Sequence, residues 1–231
     1  MIFVGRGALV WRAVRAADAA GHRVDLVCVG PDEAVPEGIP ALRTTDVNDD
    51  AATVTAACRD GLVWSINNET ILRPKLLGSG LRIYNIHNGP LPAYRGLPEI
   101  AIAAALLGGE THYGATLHEV DTGIDTGAVL DIERFPIAPQ DGFQEVMLAG
   151  LRACHAVFVR NLTAAVENTL SPMPPSTQPA GYYGRRQLAD IAARRGTDGF
   201  SRAASLGVFA PLYPDLAAAT AGQRSPDGAA R

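Results

Sequence analysis

Cysteine, surplus charge, long apolar runs and internal repeats are all scarce or missing in this chain, and each shortage narrows what it can be. The cysteines are Cys28, Cys58 and Cys154, odd in number and without Cys-x-x-Cys spacing. They give no sign of a disulfide framework or a zinc knuckle and read as buried free thiols. Lys and Arg total 20 against 24 Asp and Glu, a net charge of −4, which gives no support for a general nucleic-acid-binding surface. No apolar run approaches membrane-spanning length, and the opening Met-Ile-Phe-Val-Gly carries no charged leader followed by a longer apolar segment, so a cytoplasmic location and no membrane partner are expected. At 231 residues the chain can bury a sizeable core and suits one α/β domain with a tail or small appendage.

What is present is an alternation of short apolar runs and helical patterns. Ile2, Phe3 and Val4 lead into Gly5-Arg6-Gly7-Ala8, after which Leu9, Val10, Ala13, Val14 and Ala17 recur at helical spacing. A β-branched run over 23–29 closes a βαβ unit, which should be parallel. Gly-x-Gly before a helix can hold a phosphate, but two glycines read first as a tight turn that lets the helix pack on the sheet. A helix capped by Asp49 or Asp50 is expected to run to Cys58, followed by a buried strand over 61–66 and the loop Asn67-Asn68-Glu69-Thr70 at its carboxyl end, where open α/β sheets bind ligands. The fold class predicted is α/β: a Rossmann-like, mostly parallel sheet flanked by helices, with a short C-terminal appendage.

Further on, residues 98–107 form a helix with proline in its first turn. Residues 113–120 and 128–135 alternate like strands. Asp141 opens a long helix through an Asp-x-x-Gln capping pattern, with Phe143, Met147, Cys154, Phe158 and Leu162 along one stripe. A Ser-Pro-Met-Pro-Pro stretch then reads as an extended linker. The divisions expected are a main domain over 1–170, a linker and small appendage over 171–216, and a disordered tail over 217–231.

The stretch that organises the chain is Tyr84-Asn85-Ile86-His87-Asn88-Gly89-Pro90-Leu91-Pro92-Ala93-Tyr94-Arg95-Gly96. An apolar strand over 81–86 ends in an asparagine and a histidine two apart, so the period of 2 aims both side chains to one face. The loop after it is rigid, since its prolines remove donors and its glycines permit unusual dihedrals. A second loop, His118-Glu119-Val120-Asp121-Thr122-Gly123-Ile124-Asp125-Thr126-Gly127, carries carboxylates. Between them these residues offer an amide donor, a group that titrates near neutrality and an anion, which suits acyl-type transfer with proton movement.

Asn-x-His, Leu-Pro-x-Tyr-Arg-Gly and His118 with Asp125-Thr126-Gly127, in this order and spacing, resemble the signature of the folate-dependent formyltransferase family. The resemblance covers about residues 1–165 and is sharp between Asn68 and Leu130. It implies that Asn85, His87 and Asp125 are the essential residues, that His118 supports the carboxylate, and that 10-formyltetrahydrofolate is the formyl donor. It also assigns a cofactor loop over Ser65, Ile66, Asn67, Asn68, Glu69 and Ile71, with Val120 and Asp121 beside it, and puts Arg95, Gly5, Arg6 and Gly7 on the acceptor side. Asp121 is the rival carboxylate, better suited to fixing its own loop. No metal is called for. The acceptor expected is a small-molecule or carrier-tethered amine such as an amino sugar or a hydroxyornithine-type amino acid; the charge balance argues against tRNA, and an oligomer could form through the appendage. The alternatives are a formyltetrahydrofolate hydrolase, a methionyl-tRNA formyltransferase-like enzyme lacking the usual C-terminal domain, and a folate-binding module without turnover.

Overall fold

The computed structural model describes residues 1–221. In chain order its elements are β1 (Ile2–Gly5), α1 (Gly7–Ala19), β2 (Leu26–Val29), β3 (Ala41–Arg43), α2 (Ala51–Ala57), β4 (Leu62–Ile66), α3 (Pro74–Leu77), β5 (Arg82–His87), β6 (Arg95–Gly96), α4 (Pro98–Leu107), β7 (His112–Glu119), β8 (Val129–Pro136), α5 (Phe143–Val166), β9 (Tyr182–Tyr183), α6 (Leu188–Ala193), α7 (Phe200–Ala203) and α8 (Pro214–Thr220). A 7-stranded sheet runs β3-β2-β1-β4-β5-β7-β8. The pairings from β3 through β5 are parallel, and β5–β7 and β7–β8 are antiparallel.

Alternation within each strand divides the core between the two faces of the sheet. Phe3, Trp64, Tyr84, Ile86 and Leu117 pack against α1 and α5, with Phe158 edge-on to Trp64 at 4.8 Å between ring centroids. Val4, Cys28, Val63 and Ile83 point the other way, into α2 and α3. A further cluster joins α4, the first turns of α5 and the C-terminal elements through Ile102, Phe143, Ile191, Ala203, Phe209 and Leu216. The appendage therefore folds against the main body and shares a core with it. Helix α5, at 24 residues, runs from that cluster into the α1 side of the sheet.

Several sequence expectations shift. The strand expected over 81–86 is Arg82–His87, so His87 is a strand residue. Gly142, not Asp141, caps α5: its N–H donates to Glu145 Oε2 at 3.0 Å, while the Asp141 carboxylate accepts the N–H of Ala138. Asp50 does stand at the N-cap of α2 but makes no side-chain capping bond, and the helix stops at Ala57. The disordered tail expected from 217 is a correction too, because Pro214 at the first helical position starts α8, which runs to Thr220 and buries Leu216. Residues 222–231 of that expectation lie outside the described residues.

Candidate active site

Along β5 the face shared with α2 and α3 changes from apolar to polar within one strand. Ile83 is in the core, and two and four residues later the same face presents Asn85 and His87. Register extends this polar row sideways: Ser65 of β4 pairs with Asn85, and Asn85 pairs with His118 of β7. His118 lies on this face because Leu117 faces the other way. The row is cross-bonded, Asn85 Nδ2 lying 3.0 Å from His118 Nε2. His118 Nδ1 is 2.7 Å from the carbonyl of Glu119 and so donates to it, which leaves Nε2 as the acceptor of the Asn85 N–H.

The loop after β7 folds back over this row. Asp125, at φ 53°, adopts the left-handed conformation that aspartate tolerates better than most residues. Its carboxylate sits 3.6 Å from His87 Nδ1 and 3.5 Å from His118 Nε2, and accepts the N–H of Gly96 at 2.8 Å. On the other side of its ring, His87 Nε2 lies 2.6 Å from the carbonyl of Tyr94. Asn85, His87, His118 and Asp125 therefore meet in one place, brought by β5, β7 and the loop after β7.

Burial sets the electrostatics. Removal from water lowers the pKa of His87 below 6.5, and proximity to His118 adds to this, while the Asp125 charge and the Tyr94 carbonyl oppose it. Burial by itself would raise the Asp125 carboxyl; the adjacent His118 and His87 rings and the Gly96 N–H outweigh it and bring the pKa down to about 2. At neutral pH the corner thus holds an ionised Asp125 beside a neutral His87.

Asp121 is bound up in its own loop, accepting the N–H of Gly123 at 2.9 Å and the hydroxyl of Thr126 at 2.7 Å. The Val120 N–H is spent on the Ile83 carbonyl. In the loop after β4, Asn68 Nδ2 bonds Ser65 Oγ at 3.3 Å and the Thr70 carbonyl at 2.9 Å, and its Oδ1 accepts the Thr70 N–H. Ile66 is buried in β4 and Ile71 is 61% exposed. Asn67 Nδ2 bonds the Arg6 carbonyl at 3.0 Å, and the Arg6 guanidinium pairs with Glu69. Arg6 and Glu69 thus join the loops after β1 and β4 across the sheet's carboxyl end. A cavity of about 250 Å³ opens beside them, lined by Gly5, Arg6, Cys28, Thr44, Asn68 and Thr70 among others. The larger, roughly 520 Å³ groove between β8 and α5 includes none of Asn85, His87, His118 and Asp125. No group of His, Cys, Asp and Glu among the described residues could hold a metal ion.

Three side-chain contacts at and near the site go beyond the sequence reading. Glu33 reaches the start of α1, where its Oε1 accepts both the Gly7 N–H and the Trp11 indole N–H at 2.9 Å; the turn at Gly5-Arg6-Gly7 is therefore closed by an internal carboxylate. Arg95, expected on the acceptor side, donates through Nε to the Gly181 carbonyl at 3.3 Å. Thr116, wholly buried, accepts the Leu91 N–H and donates to the Gly89 carbonyl, so it anchors the loop after β5. Its polar side chain at an inward strand position was the available signal. Glu33 offered none, since its contact spans 26 positions of helix, coil and strand.

Comparison with known proteins gives this site a context. Residues 69–162 match the formyl transferase family. A methionyl-tRNA formyltransferase of Sorangium cellulosum is 32% identical over 153 residues, 65% of this chain and 48% of that protein. One from Acidiphilium cryptum is 29% identical over 202 residues, 78% of this chain and 64% of its own length. The chain thus spans roughly half to two thirds of the length of these relatives. Among solved structures, a sugar N-formyltransferase from Shewanella superposes with a TM-score of 0.72 at 19% identity, covering 90% of this chain and 89% of that one. An N-formyltransferase from Helicobacter canadensis, in complex with folinic acid and dTDP-3-aminofucose, gives 0.65 at 18% identity, covering 81% and 72%. At such identities the likeness is one of fold.

Proposed function

We propose, starting from the match of residues 69–162 to the formyl transferase family, that the chain moves a formyl group from 10-formyltetrahydrofolate to the amino group of a small-molecule or carrier-tethered acceptor. The observation that carries this reading is the convergence of Asn85, His87, His118 and Asp125 on one face of the sheet. Beside that row, the Asn68 amide ties Ser65 to Thr70 and so shapes the loop over 65–72, which leaves Ile71 exposed, an apolar edge that fits one face of a flat heteroaromatic ring. 10-Formyltetrahydrofolate supplies the one-carbon unit.

The protein's part is to stabilise charge and move protons. One Asn85 N–H is held by His118, and the amide's remaining N–H is a donor to the formyl oxygen as it gains negative charge. Neutral His87 takes the proton of the attacking amine, directly or through a water, and returns one to the departing nitrogen. Asp125, ionised throughout, stabilises the imidazolium formed in between. Because its carboxyl is held at about 2, it stays an anion and does not itself keep the proton.

The net charge of −4 favours small or carrier-bound acceptors over tRNA. Amino sugars head the panel because the structurally similar Helicobacter canadensis protein holds dTDP-3-aminofucose. The test is incubation with 10-formyltetrahydrofolate and a panel of amino sugars, amino acids, carrier-bound amines and methionyl-tRNA, following deformylated folate and formylated product. Formylation of an amine is expected. Formate released at the same rate without acceptor would replace this reading with hydrolysis, and folate binding with no deformylation would replace it with a binding module.

A further inference from the structure

The C-terminal segment that lies beyond the matched family region, residues 69–162, reaches back to the catalytic corner at β9. There Tyr182 and Tyr183 pair in parallel with Arg95 and Gly96. The Arg95 N–H donates to the Gly181 carbonyl at 3.1 Å, the Leu97 N–H to the Tyr183 carbonyl at 2.7 Å, and the Gly181 N–H to the Pro92 carbonyl at 3.0 Å.

In an extended segment successive N–H groups point to opposite sides. Spending those of Arg95 and Leu97 on β9 turns the N–H of Gly96 the other way, and there it meets Asp125 Oδ2 at 2.8 Å. Two residues earlier in the same loop, the Tyr94 carbonyl holds His87 Nε2 at 2.6 Å, and the Tyr94 ring stacks on Tyr183 at 5.3 Å and 15°. Gly96 adopts φ 97°, and a Cβ there would stand 2.5 Å from the Tyr183 carbonyl, so only glycine allows this approach.

We propose that β9, through the Tyr183 ring and backbone, is a positioning element for the reaction assigned above: it fixes the outer side of the loop whose inner side orients His87 and Asp125. Tyr183 is then a positioning residue, and part of the catalytic apparatus lies in the appendage. The inference rests on the formyl-transfer reading for its kinetic consequence but not for its geometric one.

The test compares Tyr183→Ala with Tyr183→Phe in the full chain, measuring thermal unfolding, kcat and KM for 10-formyltetrahydrofolate, and the titration of the His87 ring by NMR. The groups facing that ring are Asp125, His118 and the Tyr94 carbonyl. Removing the stacked ring is expected to lower kcat by roughly tenfold to a hundredfold with KM within about twofold, because the reacting groups lose alignment while the folate loop over 65–72 is untouched. The His87 midpoint is expected to move, and the Phe variant to match the wild type in both measurements. A folded Tyr183→Ala protein with wild-type kcat and an unmoved His87 midpoint overturns the proposal. If the wild-type protein turns over no formyl donor, the functional reading fails, and the His87 midpoint alone still decides: displaced in Ala and restored in Phe supports positioning, unmoved in both refutes it. Should Tyr183→Ala not fold, Gly181→Ala takes its place under the same criteria, since its methyl would run into the Ala93 carbonyl and push β9 from the loop.

Discussion

The corner around Asp125 and the loop over 65–72 are neighbours on one face of the sheet, joined through the Ser65–Asn85 pairing, yet they are held by opposite means. At the corner His87 and His118 are 6% and 2% exposed, and the contacts come from two strands and two loops. The neighbouring loop is tied across the sheet end by Arg6 and Glu69, whose side chains are 55% and 67% exposed, and its Ile71 points to solvent. On the formyl-transfer reading, groups that act on a developing charge are set in advance, out of water, where reorientation during the reaction would be costly. On the same reading, groups that admit and release a ligand are fastened by contacts that water can replace.

Breaking the corner should have the largest effect. His87→Ala and Asp125→Ala are each expected to lower kcat by about two orders of magnitude or more with folding intact, read by steady-state turnover alongside circular dichroism. Normal turnover in a folded His87→Ala protein would remove that residue from the mechanism. Asn85→Ala should cost on the order of a hundredfold in kcat by deleting the donor to the formyl oxygen, and its thermal midpoint should change little.

A smaller and sharper effect concerns pH. Since burial lowers the His87 pKa, the neutral base persists into mild acid, and kcat/KM should fall on the acid side with a midpoint below 6.5. Asp125 is a group that holds the His87 value up, so in Asp125→Asn the His87 midpoint measured by NMR should move lower still. An upward movement would contradict the arrangement. Smallest of all, Arg6→Ala should change stability by no more than about 1 kcal/mol in chemical denaturation, because the pair it breaks is largely exposed. Any kinetic effect should fall on KM and leave kcat in place.

The two regions were also unequally legible in the sequence. Asn85 and His87 share a face because strand alternation allows nothing else, and Asp125 was separable from Asp121 by its place before Thr126-Gly127; the structure gives Asp121 the loop-fixing bonds expected of it. The parallel character of the sheet up to β5 followed from apolar runs alternating with helical patterns; its strand order did not. What stayed hidden is long-range and short in extent. β9 is two residues long, below any periodicity, and it is defined by its partner 87 positions earlier, Arg95 to Tyr182. Glu33 closes the turn before α1 from within a stretch without local pattern. The small, alanine-rich end read as disorder because its helix draws stability from Leu216 packing beside α4 and α6, a contact no local propensity reveals.

Helix α5 contributes Phe143, Val146 and Met147 to the cluster beside α4, and Ala153, Cys154, Val157 and Phe158 to the core under the sheet. A helix of 24 residues is about 36 Å long, and fraying it at either end strips apolar contacts from both bodies it joins. The sheet and the C-terminal elements should therefore melt together, as one calorimetric transition whose van't Hoff and measured enthalpies agree.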